Sequence, residues 1–389
     1  MVDKALYSIM RERLRHTPMS FHRYLYSSIP LDARLLGIIG PRGVGKSTMV
    51  LQILKANNEK SLYVDADNIY FSTNSLIELA DNFVKEDGKL LAIDEIHKYQ
   101  GWSKELKQIH DNHPSLKVIF TGSSVLDIKK GEADLSRRAI LYNLQGLSFR
   151  EYLELFHGIQ LPVFSLDDIL SHNVDFEIPE HPLPYFKDYL KKGYFPFSNE
   201  PGFEIWLNQI ISQTVENDIP LFANLMTSTA RKLKQLLGLL AHLAPYKPSI
   251  EKLAQEIGVS KNNLPEYLNM LEKAGMISLL RDDTAGLRTL GKVEKLFIDN
   301  TNMMYAMAGI ETNIGNVRET FFQNQMRLTG KLSVSRTADF KIGGFTFEIG
   351  GKNKGQKQIA KTPDSFIVKD DIEYGSNNII PLYHFGLTY

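Results

Sequence analysis

The chain has 389 residues, with 45 lysines and arginines against 45 aspartates and glutamates, 10 histidines and no cysteine. At about 100–200 residues per domain this length allows roughly two to four domains, and 43% apolar with 23% charged residues excludes wholesale disorder. Zero net charge excludes a chain-wide basic field for nucleic acid, and the lack of cysteine excludes disulfides, thiolate zinc sites, iron–sulfur clusters and cysteine nucleophiles.

Residues 1–30 alternate charge and apolarity and lack the continuous apolar core of a signal peptide. No stretch reaches the roughly 18 apolar residues of a membrane span, so a cytoplasmic protein without membrane contact is expected. Residues 34–47, RLLGIIGPRGVGKS, run from an apolar strand into Gly40-x-x-x-x-Gly45-Lys46-Ser47, followed by the helix-compatible TMVLQILKA. Strand, glycine loop and helix in that order form the P-loop pattern. Gly40, Gly43 and Gly45 let backbone N–H groups curl round a β-phosphate, and Pro41, Arg42, Val44 and Thr48 complete the expected phosphate-binding run. Lys46 is expected to reach the β- and γ-phosphate oxygens and the Ser47 hydroxyl to ligate Mg2+, so ATP and Mg2+ are the expected cofactors.

SLYVDAD (61–67) and KLLAIDE (89–95) read as the next strands. Asp94, at a strand tip, is expected to hold magnesium through its water shell, and Glu95 to polarise an attacking water as a general base. SLKVIFTGSS (115–124) ends in Thr121-Gly122-Ser123-Ser124, where Thr121 or Ser123 is expected to read the γ-phosphate. Arg137 and Arg138 sit at the start of RAILYNL (138–144), the last expected strand. Two readings of these arginines stay open: an arginine finger, in cis or in trans, or surface arginines paired with Glu132 or Asp134. Five strands separated by helical segments imply an α/β fold, a parallel sheet with helices on both faces. Ligand then belongs at the carboxyl ends of the strands, where Gly40, Asp67, Asp94 and Thr121 fall.

From 151 to 225 the pattern is helical with proline-rich interruptions, and Pro179, Pro182 and Pro184 predict an irregular connection there. FEIWLNQII reads as an amphipathic helix that buries Trp206, and Asp218 is a candidate contact to the nucleotide domain. Residues 231–281 read as three helices and a strand, a winged helix-turn-helix with Gly258 at the turn and Ser260 as N-cap. The presumed reading helix, 261–274, sets Lys261 and Lys273 against Glu266 and Glu272, a balance of zero. A lid or coupling domain that follows the nucleotide state is therefore favoured over a DNA reader.

Near the end, VRETFFQNQM (317–326) reads as a helix, and Glu319, Asp339 and Glu348 are spaced like the acidic residues of a restriction-endonuclease-like fold. Gly350 stands where the lysine of that pattern belongs, so an inactive site is expected, with rescue by Lys352 or Lys354 as the alternative. Across 331–361, seven lysines and arginines face two acids, which fits a nucleic-acid patch or a solvated loop.

Several runs together carry a family resemblance: GPRGVGKST, LLAIDEIHKYQGWSKELKQIHDN, VIFTGSS, LQGLSFREYLEL, YLKKGYFPF and TFEIGGKNKGQKQI. They resemble a family of bacterial and archaeal AAA+-like P-loop ATPases that carry a C-terminal domain of unknown function, in its Bacteroidetes-type version. The resemblance covers nearly the whole chain and implies ATP binding and hydrolysis with an undefined cellular role. It departs at Gly193-Tyr194, where the family has two glycines. The expected organisation is a P-loop ATPase domain over 1–150, a helical connecting region over 151–225, a winged-helix domain over 226–300 and a restriction-endonuclease-like domain over 301–389. The expected function is Mg2+-dependent ATP hydrolysis driving domain rearrangement. A nucleotide-gated DNA-binding protein and an active nuclease are the alternatives. Expected partners are ATP and ADP, then DNA through the winged helix and the basic C-terminal loop, or a protein, or further copies of the chain.

Overall fold

Five apolar runs of the N-terminal half become strands: β1 (Leu35–Ile39), β2 (Ser61–Asp65), β3 (Leu90–Asp94), β4 (Lys117–Gly122) and β5 (Ile140–Asn143). Their order across the sheet is β2-β3-β4-β1-β5, with every neighbouring pair parallel. The structure, a computed structural model, describes all residues except 58, 123–134, 136, 175–180, 224, 282–292, 310 and 311, and the side chain of 222. The chain divides into two compact units, Met1–Gly146 and Leu147–Tyr389.

Among the described residues of the first unit, four helices accompany the sheet: α1 (Lys4–His16), α2 (Lys46–Ala56), α3 (Leu76–Lys85) and α4 (Trp102–Asn112). Side chains alternate along a strand, so Leu62, Val64, Leu91, Ile93, Val118 and Phe120 reach one face. There they pack with Leu76, Leu79 and Phe83 of α3 and Trp102, Leu106 and Ile109 of α4. Each such buried side chain contributes about 1.5–3 kcal/mol. The same alternation sends Tyr63, Asp94 and Thr121 to the opposite face. α3 starts where the Ser75 side chain accepts from the Glu78 N–H while the Glu78 carboxylate accepts from the Ser75 N–H, which satisfies two otherwise orphaned donors.

The second unit opens with α5 (Phe149–His157), α6 (Leu166–Leu170), α7 (Pro182–Lys192) and α8 (Phe203–Gln213). A π-helical stretch, Thr214–Asp218, leads into α9 (Ile219–Ala223) and α10 (Thr227–Leu243). α11 (Ile250–Glu256) and α12 (Leu264–Lys273) follow, then an antiparallel pair, β6 (Ile277–Arg281) with β7 (Val293–Ile298). α13 (Thr301–Ala308) and α14 (Ile314–Met326) precede a mixed sheet ordered β12-β11-β10-β9-β8. Its strands are β8 (Leu332–Val334), β9 (Phe340–Ile342), β10 (Phe345–Gly350), β11 (Ser365–Lys369) and β12 (Ile379–Pro381). The core beneath this sheet is aromatic: the Phe322 ring lies 5.1, 5.3 and 4.9 Å from those of Phe340, Phe347 and Phe385.

Three local expectations are corrected. Pro182 and Pro184 sit in the first turn of α7 instead of in an irregular connection, because first-turn N–H groups have no intrahelical partner for proline to remove. Pro179 lies outside the described residues. Trp206 is half-exposed, because α8 buries the stripe Phe203, Leu207 and Ile211 and Trp206 falls beside it. Ser260 does not cap α12, whose N-cap position is Asn263; Pro265 fits only within the first turn, which moves the start to Leu264. Asp218 is buried and accepts from Gln213 Nε2 at 3.5 Å. Among the described residues no helix is long and apolar enough to cross a membrane.

Candidate nucleotide site

The loop after β1 is shaped by glycine. Gly40 has φ 153°, and a Cβ there would stand 2.2 Å from the Leu144 carbonyl oxygen, so no side chain fits. Gly45, at φ 95°, caps α2 from the left-handed region, and the helix begins at Lys46 as the sequence expects. The Lys46 ammonium is buried and donates to the Gly40 and Pro41 carbonyl oxygens at 3.0 and 2.9 Å. Burial pushes Lys46 below the usual lysine range, against the opposing pull of Glu95 and Asp94.

Asp94 ends β3 and is 3% exposed. Its Oδ1 accepts from the Thr121 hydroxyl on β4, and its Oδ2 accepts from the Tyr63 hydroxyl on β2 at 2.5 Å. Thr121 Oγ1 in turn accepts the Glu95 N–H at 3.0 Å. Glu95 adopts φ 50°, an uncommon conformation for a residue with a side chain. Its Oε2 is buried without a hydrogen bond and lies 3.3 Å from His97 Nε2. Burial raises the Glu95 carboxylate above the usual range, opposed by Lys46. Burial also brings His97 down to about 3, so its ring is neutral at pH 7. Lys46, Glu95 and His97 all feel the charge of Arg42, which brings that cation to the same site.

The structure therefore gathers Gly40, Pro41, Arg42, Lys46, Asp94, Glu95 and Thr121 at the carboxyl ends of β1, β3 and β4. Ser47 and Thr48 occupy the first turn of α2, with Ser47 half-buried and Thr48 exposed. Ser123, Ser124, Glu132 and Asp134 lie outside the described residues. Arg137 is exposed, and Arg138 donates from Nε and Nη2 to the two carboxylate oxygens of Asp111 at 2.9 and 3.0 Å. Ile140 pairs with Leu36, so both arginines stand at the amino-terminal edge of a parallel sheet whose loop is at the other edge. That separation is roughly 15–20 Å at ~3.3 Å per strand residue, which leaves no cis contact with this chain's own loop.

Sequence reading missed three residues. Tyr63 was legible only as an alternate-face residue of β2, and His97 only by its nearness to Asp94-Glu95. Arg23 carries no local signal: it is buried and donates to the Val44 carbonyl in the loop and to the Gln145 and Gly146 carbonyls, the latter two at 2.7 and 2.9 Å.

The residues gathered at the loop fit a nucleotide phosphate and its metal. They offer a cradle that a Cβ would fill, a buried ammonium, a buried carboxylate fixed by two hydroxyls and an orphaned glutamate oxygen.

In the second unit, Lys295 on β7 meets Glu319 and lies 3.6 Å from Asp339, while Lys354 meets Glu348. The Lys354 stem lies over Gly350, where an added Cβ would be 2.6 Å from its Cγ, and Lys352 is exposed. Burial raises the carboxyls of Glu319 and Glu348. Among the described residues no group of three or more histidine, cysteine, aspartate or glutamate side chains is arranged to hold a metal ion.

Comparison with known proteins adds two family matches. Residues 32–153 match a family model described as an AAA domain, and residues 183–313 match one described as a domain of unknown function (DUF8612). The Uncharacterized protein MJ1637 of Methanocaldococcus jannaschii is 27% identical over 265 residues, covering 62% of this chain and 56% of that protein. The chain thus spans little more than half the length of this curated relative. Among solved structures, C. elegans PCH-2 overlaps 69% of this chain and 70% of its own, at 16% identity and a TM-score of 0.26. AMPPCP-bound DnaA from Aquifex aeolicus overlaps 70% and 89%, at 14% identity and a TM-score of 0.24. Overlaps this loose do not bear on the fold. What stands is the sheet order, the loop and the AAA match: the first unit is a P-loop NTPase fold, and it is similar to AAA domains.

Proposed function

We propose that the first unit binds ATP and hydrolyses it to ADP and phosphate, and that the nucleotide state sets the arrangement of the second unit. The observation that carries this reading is the meeting of Lys46, Asp94, Glu95 and Thr121 at one edge of a parallel sheet, beside a loop that only glycine can form. Lys46 would leave the loop carbonyls for the β- and γ-phosphate oxygens, where its charge offsets theirs. Glu95, whose Oε2 makes no hydrogen bond, would orient a water and take its proton as that water's oxygen bonds to the γ-phosphorus and the bond to the bridging oxygen breaks. A bound Mg2+, held by the Ser47 hydroxyl and by Asp94 through water, supplies charge neutralisation at the phosphates. Arg42 lies in the phosphate loop itself, and Arg137 and Arg138 would fit a role on another copy of the chain.

The three helices and antiparallel pair of 227–298 support a winged-helix reading, but α12 carries Glu266 and Glu272 against Lys273, which suits a coupling module better than a groove reader. Equilibrium binding of a fluorescent ATP analogue tests the central reading. Lys46→Ala is expected to weaken it about 100-fold, roughly 2.7 kcal/mol, and wild-type affinity in that variant would contradict the assignment.

A further inference from the structure

We infer that Tyr63 is a positioning residue of the nucleotide site, orienting Asp94 through a hydrogen-bond chain that begins at Arg13 on α1. The inference rests on the ATPase reading and names a residue outside the P-loop and the acidic pair.

Tyr63 is 1% exposed, and its hydroxyl has a single proton. Arg13 Nη1 lies 2.7 Å from the Tyr63 oxygen, and a guanidinium can only donate, so the Tyr63 oxygen accepts there. Its own proton is thereby directed to Asp94 Oδ2 at 2.5 Å. Arg13 is itself held: it lies 5.1 Å over the Tyr63 ring and 3.5 Å from Asp65 Oδ2. The same logic fixes the other oxygen. The Glu95 N–H donates to Thr121 Oγ1, so the Thr121 proton is directed to Asp94 Oδ1.

Both oxygens of Asp94 are therefore held by hydroxyls whose direction is set from outside, which fixes the carboxylate plane. A carboxylate has about four lone-pair sites, so capacity remains on each oxygen for the water shell of a cation. Partners of this outer kind orient a metal's ligands, and losing one typically weakens metal affinity or activity by about 10–100-fold. Among the described residues β2 is an edge strand of the sheet, with no further strand beside Tyr63.

The test compares wild type with Tyr63→Phe, which keeps the ring, and Arg13→Met, which keeps the Tyr63 hydroxyl but releases its direction. The readouts are Mn2+ binding by electron paramagnetic resonance in the complex with a non-hydrolysable ATP analogue, metal-free analogue affinity, steady-state ATP turnover and melting temperature. Tyr63→Phe is expected to weaken Mn2+ binding about 10-fold and to lower kcat by a similar factor. KM for ATP and metal-free analogue affinity are expected to stay at wild-type values, while the melting temperature falls by a few degrees, roughly the loss of one buried hydrogen bond. Arg13→Met is expected to show a smaller loss of Mn2+ affinity in the same direction. Wild-type Mn2+ affinity in both variants overturns the assignment while leaving the ATPase reading intact. Loss of melting temperature and analogue affinity with Mn2+ affinity unchanged also overturns it, since that marks a packing role. A wild-type protein that neither binds the analogue nor turns over ATP overturns both readings together.

Discussion

Glu95 leaves β3 through a left-handed conformation, φ 50°, which costs a residue with a side chain about 1–3 kcal/mol. The bend keeps its N–H on Thr121 while its carboxylate stays beside Lys46, whose charge opposes the rise that burial imposes on Glu95. Because that pKa is raised, the folded state holds more protons than the unfolded state over the interval between the two pKa values. Stability from this group therefore falls as pH rises through its folded pKa. Glu95→Gln has no charge to ionise, so it is expected to lose this dependence. Urea midpoints of both proteins at about pH 5 and about pH 7.5 measure the difference, and parallel profiles would contradict it. Arg23 acts at the same scale by another route. One guanidinium holds the Val44 carbonyl of the loop and the carbonyls of Gln145 and Gly146.

At the scale of elements, α7 shows how a short motif becomes packing. Gly193 ends the helix, and an added Cβ would stand 2.3 Å from Tyr189 Cδ2 and 2.6 Å from Tyr189 Cα. Tyr194, where the resembled family has a second glycine, is buried; its hydroxyl accepts from Arg327 Nη2 at 3.0 Å, and Arg327 also holds Asp299 at 2.6 Å. Gly193→Ala should therefore cost about 1–3 kcal/mol in urea unfolding, and an unchanged midpoint would show that the helix end gives way freely. This also marks what could be read in advance. The strands of the first unit were legible because each is a short apolar run ending in glycine or a polar tip, and the loop because its glycines, lysine and serine come at fixed spacing. Pro182, Pro184 and Ser260 misled because the same residue type serves a turn, a cap or a first helical turn, and only the register of the helix decides. The roles of Tyr63 and Arg23 were not legible because they depend on partners distant in sequence, Asp94 for Tyr63 and Val44, Gln145 and Gly146 for Arg23. Lys354 was legible only as an alternative, since reaching Glu348 requires its stem to cross Gly350.

The whole molecule carries a P-loop unit, Met1–Gly146, and a larger unit, Leu147–Tyr389, in one chain of zero net charge. A balanced charge gives no long-range attraction for a polyanion, so a nucleic-acid partner would need a local patch, whereas Lys46, Asp94, Glu95 and Thr121 of the candidate nucleotide site all lie in the first unit. The direct measurement is phosphate release from ATP with Mg2+, by wild type and Glu95→Gln side by side, with analogue binding measured on both. The account predicts that wild type turns over, and that Glu95→Gln binds the analogue as tightly but is slower by at least about 100-fold, the low end of what a general base contributes. Equal turnover by the two proteins, or binding without any turnover by wild type, would contradict it.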